Sequence, residues 1–487
     1  MDNILKNEIS KPIFNINSGE YNKTQIISIT NNDNSDIYYS INAVDFKKYY
    51  GPIAIKSDSI IKAYSKNSNL ESEQALCDIK IKKTLQPIKG KLVIIGGAEH
   101  CKEIHQKLID LAGGMDKAKI VFIPSSSSDA YASGIDRVTR FTEMCGFKID
   151  KNLIPTINGK QDYSNIEDKS RFWILPVAVK DDLNTNANPE DDDRTLLADE
   201  SQFPNIDESK WLNNGFSIEV AEKLRDENYN LIFFTGGNQA RYMKCFTYPD
   251  GTEGPVLSII REIYEEKDGV VAGTSAGGAV LSDIMMQGGG SYGAIMQGII
   301  HKDTNIENYV DNWHPYESKS DGRLWIGKGF GLLNSAFLSD THFVARGRIG
   351  RLITGCLYLK QYKNHNIIGI GSDEDTGVII YSNGKAEVVG ALGAVIVDVS
   401  KANIIEGDVK TGKFVAKNII VHYLEAGDTF NFNIETGEVK IEGFNSNKVL
   451  NTIPASKEGD NTFIEHDIFG RDKFKRAIYQ YLANNSA

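Results

Sequence analysis

The sequence predicts an α/β fold in which a mostly parallel sheet is flanked by helices, with a small β-sandwich at the N-terminus. The first observation is a set of continuous apolar runs that end in glycine- or serine-rich clusters: "KLVIIGG", "KIVFIPSSSS", "NLIFFTGG" and "GVVAGTSAGG". Helical segments join these runs, and buried parallel strands have this pattern. The second observation is the N-terminal stretch, where β-prone runs such as "TQIISIT" and "DIYYSIN" alternate with polar turn clusters, as in antiparallel sandwiches.

The domain organisation follows from the length and the local composition. With 487 residues the chain exceeds the usual size of one domain. We expect a β-sandwich over residues 1–84 and a larger α/β domain over residues 85–487. A polar insertion at about 150–215 interrupts the larger domain and is expected to lie outside its core. The acidic run at 190–193 fits a solvated loop better than a site for a cation or a guanidinium.

The C-terminal part of the larger domain has a different pattern. Beyond residue 376, β-prone runs such as "GVIIYSN" and "GAVIVDV" alternate with glycine and asparagine turns. This pattern indicates antiparallel strands that extend or cover the sheet. The last segment, "GRDKFKRAIYQYLANN", has a helical pattern, and we expect it to pack on the outside.

The composition excludes several classes of protein. A formal net charge of −11 argues against a nucleic-acid-binding protein, which needs a basic surface. Five cysteines without C-x-x-C spacing predict reduced thiols rather than a disulfide framework or a zinc site. No apolar run reaches the roughly eighteen residues that span a bilayer, so we expect no membrane segment. The expected compartment is the cytoplasm. Secretion is the alternative, because a chain from which a signal peptide had been removed would have the same sequence.

We expect the catalytic and ligand-binding residues at the carboxyl ends of the predicted strands, where parallel sheets bind ligands. One cluster there, "GTSAGG", fits the pattern G-x-S-x-G around Ser275. In that pattern a serine occupies a sharp strand-to-helix turn, and the flanking glycines remove the clashes that the turn creates. The helix predicted over "AVLSDIMM" directs its N-terminal N–H groups at a developing oxyanion. Ser275 is therefore a candidate nucleophile, although a tight turn alone also explains a small residue here.

A serine nucleophile requires a base, and His342 has the most informative surroundings of the eight histidines. It lies in "SDTHFVARGRIGRL", after an acid and ahead of a candidate carboxylate-binding cluster formed by Arg346, Arg348 and Arg351. A structural role is the alternative for this histidine, as it is for His100, His105, His365 and His422.

The imidazole in turn requires a carboxylate that fixes its tautomer. "NIIGIGSDEDTGVII" places Asp373, Glu374 and Asp375 after a predicted buried strand, and Asp340 is a further candidate. An exposed turn is the alternative explanation of this acidic run. The residues alone leave open which acid orients His342.

Several motifs together resemble the cyanophycinase family, the serine peptidases related to aspartyl dipeptidase (peptidase family S51). They are "VIIGGAEH", "FIPSSSS", "IFFTGGNQ", "GTSAGG", "DTHFVARGRIGRL" and "GIGSDEDTG", in the family's order and approximate spacing over residues about 90–435. The resemblance implies a class I glutamine amidotransferase-like fold. It implies a triad of Ser275 as nucleophile, His342 as general base and Glu374 as acid. It also implies an oxyanion hole from the backbone N–H groups of Gly237 and Ala276. The substrate pocket would be lined by Gln239, Asp340, Arg346, Arg348 and Arg351.

The N-terminal stretch resembles a second family. Its runs "PIFNINSGEYNKTQIISIT", "IYYSI" and "GPIAIKSDSIIKAYS" are similar to the chitobiase/β-hexosaminidase C-terminal-type module. These runs carry no residues with evident chemistry, so a spacer or dimer-supporting role is favoured over sugar binding.

The resemblance implies hydrolysis of cyanophycin, a poly-aspartate chain with arginine on each side-chain carboxyl, to β-Asp-Arg dipeptides. The enzyme would be a homodimer that needs no metal or other cofactor. Two departures leave the substrate open: Thr341 stands where the family usually has a glutamine beside the histidine, and the acidic insertion is large. The alternatives are a dipeptidase for aspartyl or β-aspartyl peptides, a non-catalytic binding protein on the same fold and, from the first module, a carbohydrate-active protein.

Overall fold

A computed structural model gives the fold of most of the chain. The structure describes residues 9–68, 70–82, 87–147, 156–157, 160–161, 171–180, 197–302, 323–363, 367–433 and 439–442. Several expectations concern residues outside these ranges: the junction at 83–86, the acidic run at 190–193, His365 and the C-terminal helical segment.

The N-terminal region is built from short strands. They are β1 (Ile13–Phe14), β2 (Gly19–Tyr21), β3 (Gln25–Ile27), β4 (Ile29–Thr30), β5 (Asp36–Ile41), β6 (Lys47–Lys48), β7 (Ile53–Ile55), β8 (Ser59–Asn67), β9 (Leu70–Glu71) and β10 (Ala75–Ile81). The strands β2, β10, β8, β5 and β6 form one sheet in that order, and β1–β4 and β3–β7 form two further pairs. Alternate residues of β8 are buried, because alternate side chains of a strand face opposite sides of its sheet.

The main sheet has nine strands in the described part of the chain. In spatial order they are β15 (Phe172–Ile174), β12 (Ile120–Ile123), β16 (Leu231–Phe234), β17 (Val270–Thr274), β11 (Lys91–Ile95), β23 (Thr376–Tyr381), β24 (Lys385–Gly390), β29 (Thr429–Phe432) and β30 (Val439–Glu442). The strands from β15 to β11 pair in parallel. The strands from β23 to β30 extend the sheet by antiparallel pairing. The chain is therefore a mixed α/β protein whose main sheet is parallel on one side only.

The described part of the chain contains eight α-helices; the first six contribute to the hydrophobic cores on the two faces of the main sheet, and the last two contribute to a third core. The helices are α1 (Lys102–Leu111), α2 (Ala130–Cys145), α3 (Ile218–Asp226), α4 (Gln239–Phe246), α5 (Pro255–Glu266), α6 (Ala276–Val280), α7 (Ser291–Gln297) and α8 (Ile349–Lys363). Leu92 and Ile94 of β11 face one hydrophobic core, which includes apolar residues of α3 and α5. Val93 and Ile95 face the other core, which includes apolar residues of α1 and α2. Burial on both faces explains why the central strands are continuously apolar.

Two smaller sheets, of three and four strands, are formed by segments that follow Ser275 in the chain. One contains β18 (Ile284–Gly288), β20 (Leu324–Lys328) and β19 (Ile299–Lys302). The other contains β21 (Phe337–Asp340), β22 (Ile368–Ser372), β25 (Gly393–Asp398) and β28 (Ile420–Glu425). The strand pairs β13 (Thr156–Ile157) with β14 (Lys160–Gln161) and β26 (Asn403–Asp408) with β27 (Gly412–Lys417) complete the described strands.

Two local expectations differ from the structure. The helix predicted over "AVLSDIMM" ends at Val280, and Ile284–Gly288 is a strand. This segment pairs with Leu324–Lys328, a distant partner that local periodicity does not reveal. The expectation that the insertion lies outside the core also fails for Phe172–Ile174, a buried edge strand of the main sheet. The surrounding segment is mainly polar, so this short apolar run is not recognised as a strand from the sequence.

The N-terminal region packs against the region that follows it. Ile26 belongs to the same hydrophobic core as α5, and Arg225 of α3 donates a hydrogen bond to the carbonyl of Thr24 at 3.1 Å. The ring of Tyr248 stacks on Tyr50, and its hydroxyl donates to the carbonyl of Pro52 at 2.9 Å. The division into domains at residues 84 and 85 stays a prediction.

Two further findings concern membrane-spanning helices and the cysteines. No helix in the described ranges is both long and apolar enough to cross a membrane. All five cysteines lie in these ranges and are free thiols.

Candidate active site

Ser275 lies on the turn between β17 and α6, at the carboxyl end of the parallel strands. Its backbone has φ 52° and ψ −115°, a strained conformation for a residue with a side chain. Two glycines make the turn possible: a Cβ on Gly273 would meet the backbone of Gly277, and one on Gly277 would meet the backbone of Phe234. The strain and the small neighbours are those expected for a serine at a nucleophile elbow.

The end of β11 fixes the backbone around the site. The carbonyls of Ile95, Gly96 and Gly97 accept hydrogen bonds from the backbone N–H groups of Ser275 at 2.9 Å, His342 at 2.8 Å and Asp375 at 2.9 Å, respectively. All three donor residues have positive φ, of 52°, 48° and 49°. The last carbonyl of β11 and the two that follow it therefore support three strained turns, and these turns bring together side chains that are far apart in sequence.

The side chains of the predicted triad form a continuous chain of hydrogen bonds. Ser275 Oγ lies 2.6 Å from His342 Nε2, and His342 Nδ1 lies 2.7 Å from Glu374 Oε1. Burial lowers the pKa of His342 below its usual value, and the charges of Arg346 and Arg348 act in the same direction against the hydrogen bond to Glu374. The imidazole is therefore neutral near pH 7 and able to accept the serine proton.

The acidic run contains three carboxylates with three different partners. Asp373 Oδ1 accepts a hydrogen bond from the backbone N–H of Ala345 at 3.1 Å. Asp375 Oδ1 accepts hydrogen bonds from the backbone N–H groups of His100 and Cys101. Only Glu374 of this run contacts His342 in the described part of the chain. Burial would raise the pKa of Glu374, but the hydrogen bond and charge of His342 outweigh it, and the pKa lies below its usual value.

Asp340 has a different environment from Glu374. It is 1% exposed, and its two oxygens accept hydrogen bonds from Arg351 Nε at 2.6 Å and Arg351 Nη2 at 2.5 Å. Burial alone would raise the pKa of Asp340, but the charges of Arg351 and Arg348 hold it below its usual value. Arg351 Nη1 donates to the carbonyl of Gly289 at 2.8 Å. Asp340 Oδ1 also accepts hydrogen bonds from the backbone N–H of Thr341 at 2.9 Å and from Arg348 at 3.3 Å. Asp340 is therefore bound by its neighbours, and Arg351 is held mainly by Asp340.

The other two predicted carboxylate-binding arginines are more accessible. Arg348 Nη1 donates to the carbonyl of Thr341 at 2.6 Å. Its Nε and Nη2 have no hydrogen-bond partner among the residues that the structure describes. Arg346 is exposed. These two guanidinium groups lie beside His342 and influence its pKa, so they are placed to receive a negatively charged ligand.

The turn at Thr235–Gln239 lies against Ser275. A Cβ on Gly236 would lie 3.4 Å from Ser275 Cβ. Within the described ranges, the backbone N–H groups of Gly237 and Ala276 have no hydrogen-bond partner, as an oxyanion hole requires. Gln239 Nε2 donates to the carbonyls of Met286 at 2.7 Å and Gln287 at 3.2 Å.

Sequence reasoning missed Gly96 and Gly97, whose role depends on their neighbours. A Cβ on Gly97 would lie 2.5 Å from Glu374 Oε2 and still closer to the His342 ring. The double glycine in "VIIGGAEH" was the available signal. Gln287 was also missed, because nothing in the sequence distinguishes it. Among the residues that the structure describes, no three His, Cys, Asp or Glu side chains cluster as a metal site requires.

Comparisons with known proteins support the resemblance of both parts of the chain. Residues 16–76 match the family described as chitobiase/beta-hexosaminidase C-terminal domain. A cyanophycinase of Trichormus variabilis is 26% identical over 353 residues, which cover 72% of this chain and 87% of the relative. One of Geminocystis herdmanii is 26% identical over 356 residues, 71% of this chain and 95% of the relative. One of Thermosynechococcus vestitus is 30% identical over 203 residues, 41% of this chain and 52% of the relative. The similarity predicted from the motifs is thus confirmed.

Proposed function

We propose that this chain is a serine-type exopeptidase that hydrolyses cyanophycin to β-Asp-Arg dipeptides. The observation that carries the proposal is the hydrogen-bonded chain from Ser275 through His342 to Glu374. The similarity to curated cyanophycinases supports the choice of substrate.

The first chemical step is acyl transfer to the serine. His342 Nε2 takes the proton from Ser275 Oγ, and the oxygen attacks the backbone carbonyl carbon of an aspartyl unit. The backbone N–H groups of Gly237 and Ala276 stabilise the oxyanion that develops. Glu374 holds Nδ1–H of His342 and stabilises the imidazolium.

The second half of the reaction releases both products. The protonated His342 gives its proton to the leaving amine, and the C–N bond breaks to leave an ester between the aspartyl unit and Ser275. Water, deprotonated by the same imidazole, then attacks the ester carbonyl and restores the serine hydroxyl. Each step uses residues of this chain and water, so the proposal includes no metal or other cofactor.

Recognition of the substrate rests on the arginines. Arg346 and Arg348 would pair with α- or β-carboxylates of the substrate, since Arg346 is exposed and Arg348, which also pairs with Asp340 at 3.3 Å, is partly exposed. The predicted roles of Asp340 and Arg351 become indirect, because each holds the other. This pair would keep the segment between His342 and α8 in place.

The resemblance supports the remaining parts of the proposal. They are a class I glutamine amidotransferase-like fold for the larger domain and a homodimer. The free thiols support a cytoplasmic location. The dimer predicts a mass near twice that of one chain in light scattering.

A dipeptidase for aspartyl or β-aspartyl peptides is the second candidate. Thr341 favours it, because this residue offers no carboxamide at the position where the family usually has a glutamine. A non-catalytic binding protein, and a carbohydrate-active protein through the N-terminal module, are the alternatives of other classes. Retention on chitin-like glycans in a pull-down assay would support the last of these.

A hydrolysis panel tests the proposal. Purified cyanophycin and a set of α- and β-aspartyl dipeptides are incubated with wild type and with Ser275→Ala, and the products are identified by mass spectrometry. The proposal predicts β-Asp-Arg from cyanophycin with wild type alone. Cleavage of dipeptides only would favour the dipeptidase, and absence of any cleavage by wild type would favour the binding protein.

A further inference from the structure

The end of β18 connects two predicted substrate-binding residues. The carbonyls of Met286 and Gln287 accept hydrogen bonds from Gln239 Nε2. Two residues further along the chain, the carbonyl of Gly289 accepts a hydrogen bond from Arg351 Nη1 at 2.8 Å. The segment from Met286 to Gly289 therefore forms part of the structure that surrounds the candidate active site.

Gln287 is a bulge within this strand. Met286 pairs with Ile326 of β20, and Gly288 pairs with the preceding residue, Trp325, so Gln287 has no residue opposite it. A bulge of this kind changes the direction of a side chain and often occurs next to an active site. The irregularity sets Gln287 apart from its neighbours on β18.

The side chain of Gln287 is buried without a partner. The residue is 5% exposed, and neither Nε2 nor Oε1 of its carboxamide forms a hydrogen bond with any described residue. A buried polar group without a partner destabilises a folded protein, so its presence calls for an explanation, such as an ordered water or a bound ligand. The carboxamide has two donors and one acceptor that a ligand could satisfy.

We propose that Gln287 binds an amide group of the substrate, an inference that rests on the proposed function. Oε1 accepts the N–H of that amide or of its neighbour, and Nε2 donates to a carbonyl. An amide fits better than a charged group: a carboxylate would leave Oε1 without a donor, and a guanidinium would leave Nε2 without an acceptor. The carboxylates of the substrate are already matched by the arginines.

The position of Gln287 fits the departure at Thr341. The methyl group of Thr341 packs near Gly278, and its backbone N–H and carbonyl are bound by Asp340 and Arg348. Gln287 provides a carboxamide from a different strand of the same region. The polar recognition of an aspartyl substrate would then come from Gln239 and Gln287 together.

The test replaces the carboxamide by an apolar group of similar length. Gln287→Met is expected to lower kcat/KM for the best substrate of the hydrolysis panel by about 10- to 100-fold, because a substrate amide loses its partner. Its Tm should stay equal to that of wild type or rise, because an unpaired buried polar group has been removed. Gln297→Met is the matched control, since Gln297 is exposed at the end of α7, and it should change neither quantity.

A second variant covers the case in which methionine disturbs the fold. Gln287→Glu keeps the size of the side chain and removes its donors, so it is expected to weaken substrate binding as well. Binding is measured by calorimetric titration in the inactive Ser275→Ala background, with and without each Gln287 substitution. This measurement separates recognition from turnover.

The outcomes distinguish this inference from the proposed function. If wild type hydrolyses an aspartyl substrate and both Gln287 variants bind and convert it as wild type does, this inference alone is overturned. A lower Tm with unchanged kcat/KM would likewise assign Gln287 a structural role. If wild type hydrolyses nothing and Ser275→Ala binds no aspartyl compound, the proposed function fails and this inference fails with it.

Discussion

Glu374 and Asp340 are two acids near His342, and their different partners predict different consequences of substitution. Glu374→Gln removes the charge that stabilises the imidazolium. We expect kcat to fall by about 100- to 10,000-fold, with little change in the free energy of unfolding, because the side chain of Glu374 is 28% exposed. Steady-state kinetics and urea unfolding measure the two quantities.

Asp340→Asn should instead affect stability. It leaves the buried guanidinium of Arg351 without its counter-charge, which costs about 3–5 kcal/mol in comparable buried pairs. The two variants are measured side by side. A larger loss of kcat in Asp340→Asn than in Glu374→Gln, with both proteins folded, would contradict the assignment of the triad acid.

The lowered pKa of His342 predicts the pH profile of the reaction. The base must be neutral to act, so a lowered pKa extends activity to lower pH. The acidic limb of the kcat/KM profile should lie below the ordinary histidine pKa of 6.5. Arg346→Gln removes a nearby positive charge, which should raise the pKa of His342 and move the limb to higher pH.

The control for this profile is Lys401→Gln, which removes an exposed positive charge elsewhere and should leave the limb in place. An acidic limb that does not move in Arg346→Gln would mean that Arg346 does not act on His342.

At the scale of residues, the sequence predicts the candidate site residues but not all the contacts between them. Ser275 and His342 stood in distinctive motifs, and the geometry brings them together. The sequence left open which acid contacts His342. Asp373, Glu374 and Asp375 are adjacent, and they differ only in the direction in which the turn points each side chain. The sequence also contains no sign that Arg351 pairs with Asp340, because that pairing depends on the packing of α8.

At the scale of elements, the end of β11 organises the candidate site. The carbonyls of Ile95 and of the two glycines that follow it hold the turns that carry Ser275, His342 and the acidic run. The glycines there leave room for the triad side chains, since any Cβ on Gly97 would overlap His342 and Glu374. The carboxyl end of this strand therefore serves as the support of the triad.

Gly97→Ala tests this support. The new methyl group should displace His342 from Glu374, and we expect kcat to fall by at least about 100-fold, because displacements near 1 Å have effects of this size. Gly114→Ala is the matched control: Gly114 also has positive φ, but a Cβ there meets nothing within 4 Å. It should lose about 1 kcal/mol of unfolding free energy and keep full activity. Equal kcat in Gly97→Ala and wild type would show that β11 does not position the triad.

The accuracy of the sequence predictions differed among elements for a physical reason. The central strands of the main sheet are buried on both faces, so their apolar runs are visible in the sequence. The sequence predicts a helix for Ile284–Met286 and a polar excursion for Phe172–Ile174, and both predictions are wrong because each segment depends on pairing with a distant strand. Short elements of this kind lack a local signal.

At the scale of the whole molecule, the N-terminal region is bound to the larger region by several kinds of contact. Arg225 is 4% exposed and bridges the carbonyl of Thr24 and the carboxylate of Glu262. Lys47 pairs with Asp250 at 2.9 Å, and Lys56 pairs with Glu253 at 3.2 Å. Because the contacts include a shared core as well as surface ion pairs, the two regions should unfold together.

Scanning calorimetry tests this expectation. The full chain should show one cooperative transition, and Ile26→Ala should lower the Tm of that single transition, since Ile26 belongs to the shared core. Two separate transitions, of which only the smaller responds to Ile26→Ala, would indicate an independent N-terminal module.

The composition and patterning predicted the general class of the molecule. A β-rich N-terminal region followed by mixed strands and helices agrees with the structure. The antiparallel extension beyond residue 376 was also anticipated, and β23, β24, β29 and β30 form it. The contacts between the two regions could not be predicted, because the residues involved are spread over short segments far apart in the chain.

The central claim is that Ser275 is a nucleophile activated by His342, and covalent labelling tests it most directly. An organophosphorus fluoride is incubated with the full chain, and the product is analysed by intact-protein mass spectrometry and peptide mapping. If the claim holds, Ser275 Oγ bonds to phosphorus, fluoride leaves and His342 takes the serine proton. The account predicts one adduct per chain, on Ser275, absent in Ser275→Ala and formed much more slowly in His342→Gln. An adduct elsewhere, or equal labelling of Ser275 in wild type and His342→Gln, would contradict it.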